Sequence, residues 1–81
     1  MITIQASNRT ELLVPSYDYE LRHYDRGVVL IWHRTAKKFF LGYRNAKTKK
    51  FHRTRSFRDG QGDKAWDAFM DSVQSRTARA L

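Results

Sequence analysis

A run of five apolar residues, Val28 to Trp32, constrains the fold of this 81-residue chain more than any other feature. Its residues are β-branched, aliphatic or aromatic, which favours a strand. Successive side chains of a strand point to opposite faces of a sheet, so a run that is apolar at every position needs cover on both faces. The sequence therefore predicts a central strand here, with protein on either side of it.

Two segments that follow this run also read as strands, each preceded by a polar turn or loop. Residues 38–44 place Phe39, Leu41 and Tyr43 on one side, and residues 50–57 form the third strand. Strict alternation in that third strand puts Phe51, Arg53 and Arg55 together on one face. Residues 28–58 are therefore predicted to form a three-stranded antiparallel meander.

The two ends of the chain have different patterns. Residues 1–27 hold short alternating segments typical of strands, and their role is left open among extending the sheet, dimerising through an exposed edge and docking a partner. Residues 63–79 are predicted to form an amphipathic helix whose apolar stripe is Trp66, Phe69, Met70 and Val73. The predicted fold is α+β: one domain over residues 1–81, with an antiparallel sheet of three to five strands packed on one C-terminal helix.

Charge is concentrated in the meander. The chain has 16 Lys and Arg against 8 Asp and Glu, a net charge of +8, and residues 28–58 contain ten basic residues and no acid. Such a cluster repels itself, so an anionic partner is expected to relieve it. If the helix covers the inner face of the sheet, these cations are expected to project together from the outer face.

The predicted site is a nucleic-acid-binding sheet. Arginines donate paired hydrogen bonds to phosphates or guanine edges, lysines suit flexible phosphate contact, and an exposed aromatic stacks on bases. Trp32 and Phe40 are interpreted first as core residues, whereas Phe51 is expected to be exposed. The candidate binding residues are Arg34, Lys37, Lys38, Arg44, Lys47, Lys49, Lys50, Phe51, Arg53, Arg55 and Arg58.

Several short segments carry a family resemblance: Arg26-Gly27-Val28, Lys38-Phe39, Tyr43-Arg44, residues 53–57 and residues 65–69. Together they resemble the APETALA/ethylene-response-factor type of DNA-binding domain and, more loosely, the arm-site domains of tyrosine recombinases. The resemblance implies three strands in the major groove with the helix behind them, and Arg44, Phe51 and Arg53 facing DNA with Trp32 as a further contact. The chain departs from that pattern in a longer first hairpin, in Arg55 where the family has a glycine, and in the preceding residues 1–26.

Other classes of function have little support in the sequence. The chain has no cysteine, its three histidines lack ligand spacing, and no catalytic set is found, so neither an enzyme nor a cofactor or metal is expected. No leader or membrane segment is recognised, and a cytoplasmic monomer or homodimer is expected. The favoured function is binding of duplex DNA. The alternatives are a phage- or mobile-element-encoded inhibitor or adaptor that binds an acidic or nucleic-acid-binding host protein complex through the same face, and an RNA-binding protein.

Overall fold

The computed structural model describes residues 1–80, with side chains through residue 76. Six strands precede one helix. Their bounds are β1 Ile2–Ser7, β2 Thr10–Val14, β3 Tyr19–Asp25, β4 Val28–His33, β5 Lys38–Arg44, β6 Phe51–Arg58 and α1 Gly62–Ala80.

The central layer is a four-stranded antiparallel meander in the order β3-β4-β5-β6. The predicted α+β class is therefore confirmed, and residues 19–25 supply a fourth strand to the three predicted from the sequence. The strand β4 lies inside the sheet, and Val28, Val29 and Ile31 are fully buried. Its side chains alternate between two separate cores, which explains why the run is apolar at every position.

The helix α1 covers one face of this sheet, here called the helix face. Ala65, Ala68, Phe69 and Val73 pack against Val28, Leu30, Leu41 and Phe57. The predicted stripe is wrong at Trp66, which remains 42% exposed and packs at the helix flank with its ring 4.4 Å from that of His23. Two alanines occupy the centre of the stripe instead, because small side chains let the helix approach the sheet closely. Arg79, which the sequence places at the negative end of the helix dipole, has its side chain outside the described residues.

A two-stranded sheet, β1 with β2, covers the opposite face, here called the hairpin face. Leu12 and Val14 are buried against Val29, Ile31 and Phe40. The hairpin is also tied to the start of β6, because the amide of Leu13 donates to the carbonyl of Lys49 at 2.8 Å. Residues 1–14 thus form a second layer, and the expectation of an uncovered outer face is wrong for its centre.

Both outer strands of the four-stranded sheet contain a bulge that strict alternation does not anticipate. The register between β3 and β4 shifts between Leu21 and His23, and that between β5 and β6 shifts between Leu41 and Gly42. The second shift leaves Thr54 unpaired and pairs Arg55 with Leu41 but Arg53 with Gly42. Arg55 therefore lies on the helix face and Arg53 on the hairpin face, so the prediction that they share a face is wrong.

Two loops of matching design join β4 to β5 and β5 to β6. Each contains, near its end, a lysine with positive φ, 53° at Lys37 and 67° at Lys49, whose amide donates to the carbonyl four residues earlier. A side chain supports each loop: Nδ1 of His33 accepts from the amide of Ala36, and Oδ1 of Asn45 accepts from the amides of Lys47 and Thr48. The two loops lie at opposite ends of the sheet.

Candidate nucleic-acid interface

The predicted binding residues follow the outer strand β6 and the loops at its two ends. Of the eleven, all are exposed except Arg44 and Phe51, which are half-buried. Five of the exposed cations lie along β6, next to it on β5, or directly before it, and are called the basic edge: Lys38, Lys50, Arg53, Arg55 and Arg58. The cations therefore project from an edge of the sheet, and the expectation that they project together from one face is wrong.

The basic edge follows the full length of β6. At about 3.3 Å per residue, the chain from Lys50 to Arg58 extends over roughly 26 Å. Lys38 is the partner of Arg58 across the strands and marks one end of the edge. Lys47 and Lys49 lie in the loop at the other end, and Lys37 lies in the loop near Arg58. Positive charge thus extends along the whole strand and beyond both of its ends.

Aromatic rings hold the two central arginines in place. The guanidinium carbon of Arg53 lies 4.8 Å from the ring centre of Phe40, on the hairpin face. The guanidinium carbon of Arg55 lies 4.9 Å from the ring centre of Phe57, on the helix face. Arginine stacked in this way keeps its outer N–H groups available for an anion. The bulge at Thr54 is stabilised by its own hydroxyl, which donates to the carbonyl of Leu41 at 3.1 Å.

Residues from the first third of the chain partner some of the predicted cations. Nε of Arg34 lies 3.2 Å from a carboxylate oxygen of Glu20, and Nζ of Lys49 lies 4.0 Å from one of Glu11. Nε of Arg44 donates to the backbone carbonyl of Glu11 at 2.6 Å, which fixes the hairpin to β5. Within the side chains that the structure describes, no acid lies within ion-pair distance of any cation of the basic edge.

The family resemblance implies that Trp32 and Phe51 face DNA from strands lying in the major groove, but neither residue is fully exposed on that face. Trp32 is on the helix face, with its ring centre 4.7 Å from that of Phe39, and so points away from Arg44 and Arg53. Phe51 packs against the hairpin core and is not the freely exposed ring that the sequence predicts. The β1–β2 hairpin occupies much of the face that would enter the groove in the resembling domains.

A pocket of about 270 Å³ opens on the hairpin face where the hairpin ends. Its walls are Pro15, Tyr19, Phe40, Phe51 and Arg53. The ring of Tyr19 lies 6.0 Å from that of Phe40 and 6.4 Å from that of Phe51. Sequence reasoning did not associate Pro15 or Tyr19 with the site, because Pro15 follows β2 and Tyr19 begins β3, both within the N-terminal residues whose role the sequence leaves open.

Groups of side chains that could hold a metal ion do not appear in the described part of the chain. Among residues 1–76, no three histidine, aspartate or glutamate side chains form a possible metal site. His23 packs on Trp66, and His33 supports a loop. The helix of the described chain is not apolar enough over a sufficient length to span a bilayer.

Comparisons with known proteins add no relative. A scan of protein-family models, a search of curated proteins and a search of solved structures each return no match to this chain. A function for this chain is therefore inferred from its own sequence and geometry.

Proposed function

We propose that this protein binds nucleic acid through the basic edge, by contacts to the phosphate backbone. The observation that carries the proposal is the row of five exposed cations along β6, with no acid within ion-pair distance among the described side chains. Cations placed side by side repel one another. A nucleic acid that binds them neutralises this charge and releases the counterions condensed on its own phosphates.

The distribution of acidic residues supports the same orientation. Asp63, Asp67 and Asp71 are exposed on α1, which covers the helix face of the sheet. They repel phosphate and so favour an approach from the edge or from the hairpin face. Arg53, Lys38 and Arg58 lie on the hairpin-face side of the edge, whereas Arg55 reaches round to the helix side. A backbone passing along β6 would therefore meet cations from both sides.

Phosphate contacts of this kind act on any nucleic acid, and the family resemblance favours duplex DNA as the first form to test. At about 3.4 Å per nucleotide of one strand, an edge of roughly 26 Å spans about eight nucleotides. That length accommodates all five cations in contact with a single strand of a duplex.

The test is a salt titration of binding to a fluorescent duplex, measured by anisotropy. With five phosphate contacts the slope of log affinity against log salt is about −4.5, or about a 500-fold loss between 50 and 200 mM salt. The double variant Arg53→Gln/Arg55→Gln is expected to make the slope shallower by about 1.8. The matched control is Arg9→Gln/Arg22→Gln, which removes two exposed arginines outside the edge and is expected to leave the slope unchanged.

Two results would overturn the proposal. Equal losses in the two double variants would show that total charge, and not the basic edge, governs binding. Absence of binding to duplex DNA, single-stranded DNA and RNA at about 50 mM salt, where phosphate contacts are strong, would favour the acidic protein partner instead.

A further inference from the structure

The pocket on the hairpin face combines aromatic walls with a cation at its rim. Phe40 lies at its base and is only 5% exposed, and the ring of Tyr19 contacts those of both Phe40 and Phe51. The guanidinium of Arg53 lies over the ring of Phe40, and Pro15 completes the lining. A flat ring that enters this space meets aromatic side chains and a planar guanidinium.

The size of the pocket limits what enters it. About 270 Å³ is below the range of roughly 300–1,000 Å³ typical of pockets that enclose drug-sized ligands. One planar ring system is therefore a better match than a larger ligand.

The positive charge around the pocket indicates that the ring it binds carries an anionic group. Lys38 precedes Phe40 by two residues on the same face of β5, at about 6.6 Å along the strand, and is the partner of Arg58 on β6. Together with Arg53 they place three exposed cations beside an aromatic pocket. An anion-bearing ring matches this arrangement, and a nucleobase with its flanking phosphates has both parts.

We infer that the pocket binds one unpaired nucleobase, stacked on an aromatic side chain of its lining beside Arg53, so that single-stranded nucleic acid is bound more tightly than duplex of the same length. This inference rests on the proposed function, because the phosphates are held by the basic edge. Aromatic stacking on unpaired bases tolerates any sequence, since every base has a π-face. The preference is therefore for an unstacked base and not for a particular one.

The experiment compares two single strands of equal charge, a thymidine oligonucleotide of about 12 nucleotides and its abasic counterpart, by fluorescence anisotropy. Stacking of one base typically contributes about 1–3 kcal/mol, so the thymidine strand is expected to bind about 5- to 150-fold more tightly. A duplex of the same length is expected to bind about as tightly as the abasic strand at equal salt, because its bases are not free to enter.

Two variants test the walls of the pocket. Phe51→Leu is expected to lower the preference for the thymidine strand at least about fivefold while leaving abasic binding unchanged. Trp32→Leu is the matched control, because Trp32 is an aromatic residue on the opposite face of the sheet. Arg53→Lys keeps the charge of an exposed residue and removes only the planar group, so it is expected to lower the preference for the thymidine strand over the abasic strand.

The outcomes distinguish failure of the pocket from failure of the basic edge. Equal affinity for thymidine and abasic strands, or an unchanged preference in both pocket variants, overturns the pocket while leaving the basic edge intact. Failure of every strand to bind at low salt overturns the proposed function instead. Circular dichroism of each variant checks that the fold is retained, and Arg53→Lys decides the question if Phe51→Leu fails to fold.

Discussion

The outer strands β3 and β6 belong to one sheet and each contains a β-bulge, yet their charged residues are arranged differently. Each bulge sends two residues, two positions apart, to opposite faces. On β3, Glu20 lies within ion-pair distance of Arg22 and Arg34, and Asp25 within that of Arg26. On β6, Arg53, Arg55 and Arg58 are stacked on rings or exposed, without an acidic partner among the described side chains.

The difference shows that the two edges of one sheet treat their charges in different ways. An exposed strand edge invites pairing with other chains, and charged residues and bulges are common ways to prevent it. Both edges use these means, but β3 neutralises its charges locally and β6 leaves them available. The bulge on β6 then places Arg53 and Arg55 on opposite sides of the edge, where strict alternation would put both on one face.

The largest change in stability is expected for a substitution at Gly42, the residue of β5 opposite the β6 bulge. A Cβ there would stand 1.9 Å from the carbonyl oxygen of His52. Gly42→Ala is therefore expected to lower the free energy of unfolding by about 3 kcal/mol, measured by urea denaturation. The bulge on β3 has Leu30 and Ile31 opposite it and needs no such glycine.

Gly60→Ala is the control for this substitution. A Cβ at Gly60 meets nothing within 4 Å, and stability is expected to change by less than about 0.5 kcal/mol. A similar small change in Gly42→Ala would mean that β5 and β6 are not as close at the bulge as described.

A smaller effect is expected at the bulged residues themselves. Thr54→Val keeps the β-branched shape but removes the hydrogen bond to the carbonyl of Leu41, and a loss of about 1 kcal/mol is expected. Arg22→Ala, at the corresponding place in β3, removes only an exposed ion pair and is expected to change stability by less than about 0.5 kcal/mol. Thermal or urea unfolding of both variants compares the two bulges. Equal losses would contradict the view that Thr54 stabilises its bulge through the side chain.

The smallest effect concerns the charges of the two edges. Glu20→Gln removes the partner of Arg34 and is expected to cost about 0.5 kcal/mol at low salt, with the loss disappearing near 1 M salt. Arg53→Gln is expected to cost nothing or to stabilise slightly at low salt, since it relieves repulsion along β6. Urea denaturation at two salt concentrations measures both. The comparison of the edges breaks down if the two variants respond to salt in the same direction.

The sequence predicts the α+β class and the need for cover on both faces of β4, but it does not predict that residues 1–14 form the second layer. The apolar run of β4 demands cover on both faces, and α1 and the β1–β2 hairpin supply it. The bulges at Arg22 and Thr54 are not predictable, because one extra residue in a strand of exposed polar side chains leaves no mark on hydrophobic periodicity. The error over Arg55 follows directly from this.

The candidate site is less predictable than the fold. The cations of β6 stand out in the sequence, but whether they share a face depends on the bulge. The pocket depends on Tyr19 and Phe51 meeting above Phe40, although they are distant along the chain and come from opposite edges of the sheet. Residue pattern alone does not encode contacts of this kind.

The lysines near the ends of the two loops of the meander have one more consequence. Lys37 and Lys49 adopt a backbone conformation in which glycine is free of steric strain and other residues lose roughly 1 kcal/mol each. A more heat-resistant version of the protein is thus two glycine substitutions away, but it would lack an ammonium group at either end of β6. Backbone stability and positive charge are therefore in competition at these two positions, and the sequence keeps the charge at both.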